Sequence, residues 1–289
     1  MKKVLFSGAC TALVTPFIGG QINLPMVKRL LQRQLDSGIK AVVICGTTGE
    51  SPTISDQEKL ELFRYCKEFV GNRMKIICGT GSNNTAHAVE LSIAAQEAGA
   101  DALLVVTPYY NKANPEGLFA HYLSIAHAVS IPVIIYNVPG RTGVDMPLSV
   151  YKRLSRIPNI AGVKEASTDI VKIARIRLAC GGDLHVWSGN DDQAVAAMAL
   201  GAQGVISVLS NVLPAETQSM AQAALAGDFD TASELQCSML PLIDALFSEV
   251  NPIPVKAAMS LIGYDCGPCR LPLAPLSPEN TDRLQKLLT

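Results

Sequence analysis

Eight short apolar runs with amphipathic stretches between them predict an α/β protein, a (β/α)8 TIM barrel with a small C-terminal helical extension. Three observations carry this. The runs are rich in Val, Ile and Leu without polar alternation, as strands covered on both faces of a parallel sheet require. Helix-start signals recur between the runs. No Gly-rich dinucleotide fingerprint is present to favour the alternative, an open doubly wound sheet.

In order, strands are expected at Ala9 to Thr15, Ala41 to Cys45, Lys75 to Gly79, Ala102 to Thr107, Val133 to Asn137, Ile160 to Lys164, Leu184 to Ser188 and Gly204 to Leu209. Between them, helices are expected at Pro25 to Leu35, Asp56 to Val70, Thr85 to Ala98, Pro115 to Val129, Pro147 to Ser155, Asp169 to Cys180 and Asp191 to Leu200. Ser55 and Glu58 form a capping box before the second helix, Asn114 caps the fourth, and Gly38, Gly99 and Gly201 sit at expected helix ends. Beyond Leu209, four further helical stretches (Pro214 to Ala226, Asp230 to Phe247, Val255 to Ile262, Pro278 to Leu288) exceed what one closing unit needs. Residues 1–225 are therefore read as the barrel and 226–289 as a helical domain, although no linker marks the boundary.

Bulk properties exclude several classes. A net charge of −1 gives no reason to expect a nucleic acid or a charged membrane as partner. The apolar run in Met1 to Phe6 breaks at Ser7-Gly8, too short for a secretory signal, and no later run is long enough to span a bilayer, so a cytoplasmic protein is expected. The eight cysteines are scattered as small buried hydrophobes would be. Cys266-Gly-Pro-Cys269 has the spacing of a thioredoxin redox pair, but the prolines after it prevent the helix that such a pair opens. The four histidines lack HxH or HExxH spacing, and there is no P-loop or GxSxG elbow, so no metal or cofactor is expected.

The site is read from the strand ends, where parallel barrels collect their chemistry. Ile160-Ala-Gly-Val-Lys164 carries a lysine where an aliphatic residue would suit, and alternation points Gly162 and Lys164 to one face. A lone lysine of this kind usually snorkels to water. Here, however, the neighbouring strand ends bring Thr47, Thr48, Tyr110, Tyr136 and Arg141 to the same rim. A dehydrated lysine amine attacks a ketone to form a protonated imine, an electron sink. Gly46-Thr47-Thr48 offers N–H and hydroxyl groups to a carboxylate, Tyr136 can shuttle protons, and Arg141 can grip a second carboxylate. Asn137 and Glu50 are read as loop and helix-cap supports.

Six segments together resemble the dihydrodipicolinate synthase (4-hydroxy-tetrahydrodipicolinate synthase) family of the pyruvate-dependent aldolase superfamily. They are Gly46-Thr-Thr-Gly-Glu-Ser51, Thr107-Pro-Tyr-Tyr110, Tyr136-Asn-Val-Pro-Gly-Arg-Thr142, Val163-Lys-Glu-Ala166, Gly204-Val-Ile-Ser207 and Asn251-Pro-Ile-Pro-Val-Lys256. The resemblance implies condensation of pyruvate with L-aspartate 4-semialdehyde in lysine biosynthesis, by a homotetramer built as a dimer of dimers. It implies Lys164 as the Schiff-base residue and Tyr136, Thr48 and Tyr110 as a proton relay, with Tyr110 reaching a neighbouring subunit's site. Thr47 and Thr48 would hold the pyruvate carboxylate, Arg141 the aldehyde substrate, and the carbonyls of Gly189 and Ile206 would line the pocket. N-acetylneuraminate lyases and 2-keto-3-deoxygluconate aldolases share the lysine and tyrosine but generally lack the Pro-Gly-Arg-Thr loop. These lyases, and a non-catalytic binding barrel, are the competing readings. In lysine-inhibited relatives an acidic residue stands at the position of His87, beside matches to Ser51, Asn83 and Tyr109, while Asp56 and Lys59 replace residues that are usually histidines. Weak or absent inhibition by lysine is therefore expected.

Overall fold

The structure is a computed structural model that describes residues 2–288. All eight expected strands form: β1 (Gly8–Ala12), β2 (Ala41–Ile44), β3 (Lys75–Gly79), β4 (Ala102–Val106), β5 (Val133–Asn137), β6 (Ile160–Glu165), β7 (His185–Ser188) and β8 (Gly204–Ser207). They are parallel and close in sequential order, with β1 pairing to both β2 and β8. A closed ring leaves no unpaired edge. A two-residue hairpin, Phe17–Ile18 with Gln21–Ile22, follows β1.

Ala41 and Val43 of β2 point into the barrel, whereas Val42 and Ile44 meet the surrounding helices, and every residue of that strand is buried. This double coverage is the physical reason for the missing polar alternation. The barrel floor is plugged by Phe6 stacked on Trp187, ring centroids 4.8 Å apart, with the indole N–H donating to the Phe6 carbonyl at 3.2 Å. Gly162 leaves room for this plug, because a Cβ there would lie 2.6 Å from Trp187 and 2.3 Å from the His185 carbonyl oxygen.

The surrounding helices are α1 (Leu24–Asp36), α2 (Asp56–Val70), α3 (Thr85–Glu97), α4 (Pro115–Ala128), the single turn α5 (Pro139–Thr142), α6 (Leu148–Leu154), α7 (Val171–Cys180), α8 (Ala194–Ala199) and α9 (Pro214–Ala226). The Ser55/Glu58 capping box is present, and Asn114 accepts from the Gly117 amide at 2.9 Å. Three more helices follow: α10 (Phe229–Leu246) packs on α9, and α11 (Ile253–Leu261) on α12 (Pro278–Leu288). Among the described residues no helix is long and apolar enough to cross a membrane.

Candidate active site

The strand ends deliver their polar side chains to one rim. Lys164, next to last in β6, is 5% exposed, and its Nζ lies 4.4 Å from the centroid of the Tyr136 ring. The pairing register explains this proximity: Tyr136 of β5 is opposite Lys164, and both point inward. On the outward side the next register pair, Asn137 and Glu165, staples the same two strands through hydrogen bonds of 2.9 and 3.1 Å. Glu165 also accepts from the Tyr151 hydroxyl at 3.1 Å and the Ser167 amide at 2.9 Å, and Lys172 lies 3.9 Å away. A fully satisfied buried network of this kind holds the strand ends, and with them the inward side chains, in one arrangement. Asn137 is thus the support the sequence suggested.

Tyr136, Thr47 and Arg141 line one cavity of about 520 Å3, together with Gly46, Gly79, Leu104 and Val138. Gly189, at the end of β7, packs directly on the lysine, since a Cβ there would stand 3.0 Å from Lys164 Cε. Ile206 is fully buried in the inner cluster with Tyr136 and Trp187. Thr48 is buried at the rim, where its Oγ1 accepts from Asn251 Nδ2 at 3.0 Å. The structure therefore brings together Lys164, Tyr136, Thr47, Thr48, Arg141, Gly189 and Ile206. Tyr110 stands apart: it is 84% exposed, with a left-handed backbone (φ 71°).

Asn251 opens the Asn251-to-Lys256 segment, and the sequence alone assigns it no role. Besides Thr48 it meets Arg141, whose Nη2 donates to the Asn251 carbonyl at 3.4 Å. The segment between α10 and α11 thus links the two loops expected to hold the substrates. Glu50 departs from its expected role. Its side chain caps no helix; it is buried, accepts from Lys256 Nζ at 2.8 Å and from the Arg270 amide at 2.8 Å, and ties the Gly46-to-Ser51 loop to the C-terminal helices. Lys256 also donates to the Pro268 carbonyl at 3.0 Å, within the Cys266-to-Cys269 loop. Burial pushes the Cys266 thiol up to about 12 and the Cys269 thiol up to about 11, the opposite of an activated redox cysteine.

The cavity extends outward past Ser51, Asp56, Lys59, Ser82, His87 and Tyr109. There the Asp56 carboxylate is already engaged by His87 Nε2 at 2.6 Å and Lys59 Nζ at 3.3 Å. Among the described residues no group of three or more His, Cys, Asp or Glu side chains is placed to hold a metal.

Residues 5–289 match the profile of the dihydrodipicolinate synthetase family. The chain belongs to that family. A curated relative, the 4-hydroxy-tetrahydrodipicolinate synthase of Thermoanaerobacter sp. (strain X514), is 48% identical over 286 residues, 99% of this chain and 96% of the relative. Among solved structures, the chloride-inhibited dihydrodipicolinate synthase of Acinetobacter baumannii complexed with pyruvate is 40% identical, with a TM-score of 0.96 and 98% of both chains covered. The Cyanidioschyzon merolae family member with lysine bound is 37% identical, with a TM-score of 0.96 over 99% of this chain and 98% of that one. Family membership therefore agrees with the barrel that the geometry builds.

Proposed function

We propose that this chain is a 4-hydroxy-tetrahydrodipicolinate synthase, a lyase that condenses pyruvate with L-aspartate 4-semialdehyde for lysine biosynthesis. The observation that carries the reading is the buried Lys164 amine held 4.4 Å from the Tyr136 ring, beside the cavity that Thr47 and Arg141 line. In the proposed course, neutral Lys164 Nζ adds to C2 of pyruvate. The nitrogen gives up a proton, the former keto oxygen gains protons and leaves as water, and a protonated imine remains. Loss of a C3 proton gives an enamine, whose C3 attacks the aldehyde carbon while the aldehyde oxygen takes up a proton. Attack of the second substrate's own amine on the imine carbon then closes the ring and frees Lys164.

Tyr136 is placed to move protons at the imine nitrogen and the departing oxygen. Because Asn251 donates to Thr48 Oγ1, the Thr48 hydroxyl hydrogen is left to donate elsewhere, the polarity a relay between Thr48 and Tyr136 needs. Thr47 and the adjoining amides take the pyruvate carboxylate, Arg141 the carboxylate of the aldehyde substrate, and the carbonyls of Gly189 and Ile206 face the reacting carbons. Exposed Tyr110 completes the relay in a neighbouring subunit of a cytoplasmic homotetramer, a dimer of dimers. Residues 226–289 act as a helical domain that braces the barrel of residues 1–225 through Asn251 and Lys256.

The test is coupled turnover of pyruvate with aspartate semialdehyde, measured against cleavage of N-acetylneuraminate and 2-keto-3-deoxygluconate. Turnover with the semialdehyde alone supports the assignment, and preference for either sugar acid removes it. Free lysine inhibits weakly or not at all, because His87 and Lys59 already occupy the Asp56 carboxylate that a lysine ammonium would need. Half-maximal inhibition at a low lysine concentration would overturn this part.

A further inference from the structure

Among the described residues four lysines are buried, Lys59, Lys164, Lys172 and Lys256, and three carboxylates, Glu50, Glu165 and Asp191. Buried charges are stable only when compensated, so the groups can be matched. Lys256 faces Glu50 at 2.8 Å, Lys172 faces Glu165 at 3.9 Å and also contacts Asp145, and Lys59 faces Asp56 at 3.3 Å. Lys164 and Asp191 remain.

Asp191 opens the short turn after β7 and is 2% exposed. Its Oδ2 accepts from the Val208 and Leu209 amides at 2.9 and 3.0 Å, which ties the end of β7 to the end of β8. Its Oδ1 is buried and has no hydrogen-bond partner among the described residues. A neutral side-chain amide could also accept from both backbone amides through its one oxygen, so these two bonds alone do not require the charge. Gly189, two residues earlier, is packed against Lys164 Cε, so the turn that Asp191 opens begins beside the lysine. Burial raises the Asp191 carboxyl above its ordinary value, while the Ser207 hydroxyl, the Leu209 and Val208 amides and the charge of Lys164 act to lower it.

We propose that Asp191 is a positioning residue that acts through Lys164, as the fixed counter-charge for its nitrogen, first as ammonium and then as the protonated imine formed with the 2-oxo acid. The inference rests on the Schiff-base reading above. The other titratable groups around the lysine do not fill this role. Cys10 faces it from β1, and burial raises that thiol so that it stays protonated. Tyr136 faces it from β5, and Arg141 lies farther along the same cavity. From β7 and β8, the inward-facing Trp187 and Ile206 carry no charge. Glu165, on the outward side of β6, already has Lys172.

The experiment compares the full-length wild type with Asp191→Asn. Each is incubated with pyruvate from acid to alkaline pH, reduced with borohydride, and mapped by mass spectrometry for a Lys164 adduct. Lack of a Lys164 adduct in the wild type removes the Schiff-base reading itself, and the counter-charge with it. With that adduct present, the acid limb of adduct formation in the variant should move about one pH unit lower, because an amine without its counter-charge deprotonates more readily. The reducible fraction at alkaline pH should also fall, because the protonated imine is less stable. Superimposable profiles in the two proteins overturn the counter-charge while leaving the Schiff base intact. Should the variant fail to fold, the reciprocal linkage applies: in aspartate-labelled protein, Lys164→Met should raise the Asp191 titration, followed by carbon NMR, by about one pH unit. An unmoved midpoint overturns the proposal.

Discussion

Gly189 touches the reacting group through what it lacks. An added methyl would stand 3.0 Å from Lys164 Cε and 2.6 Å from Ala166 Cβ, so Gly189→Ala must push the lysine off its position over Tyr136. A shift of about 1 Å at a reacting atom can cost on the order of 100-fold, and a fall of that size in kcat, with little change in melting temperature, is expected from steady-state kinetics. A second residue sets an acid limit on stability. His121 is 3% exposed, its Nδ1 is paired with the Thr85 hydroxyl at 2.9 Å and its Nε2 has no partner among the described residues; burial lowers it to about 4. The unfolded chain therefore binds this proton more readily than the folded one. The stability from a neutral His121 is complete above about pH 6.5 and is lost as the pH falls toward 4, by roughly 3 kcal/mol. Urea unfolding across that range should show the loss in the wild type and a smaller one in His121→Phe.

At the scale of elements, the eight strands were legible because each is an unbroken apolar run, and the rim was legible because parallel strands all end on one side. Lys164, Tyr136, Thr47 and Arg141 could be found from that rule alone. The contacts that brace the rim could not. Glu50 and Lys256 are 206 residues apart, and neither local periodicity nor capping chemistry signals such a pair. Asn251 and Asp191 were hidden for the same reason, one inside a C-terminal motif of unassigned role and the other reading as an ordinary helix start. The ion pair makes its own prediction. Lys256→Met leaves Glu50 buried without its cation, which should cost about 3–5 kcal/mol in chemical unfolding. The double variant Glu50→Gln/Lys256→Met should recover most of that loss, because the glutamine still accepts from the Arg270 amide and no charge is stranded. A double variant no more stable than the single one would mean that the pair matters for shape rather than charge.

For the whole molecule, Tyr110 is the residue that a single chain leaves without employment: it is 84% exposed on a loop held at φ 71°. If it serves a neighbouring subunit, two defective chains should repair each other. Tyr110→Phe and Lys164→Ala proteins, unfolded, mixed and refolded together, should show more turnover than either alone, since some sites then combine an intact lysine with a partner's intact tyrosine. Equal activity before and after mixing would confine Tyr110 to its own chain.

The aromatic plug in the floor of the ring has one more consequence. The chain contains a single tryptophan, and it stands opposite Lys164 in the strand register. Its ultraviolet emission therefore originates at one place, on the strand paired with that of the lysine. A stopped-flow fluorimeter could watch the keto acid being captured in real time, with no dye attached and no residue replaced.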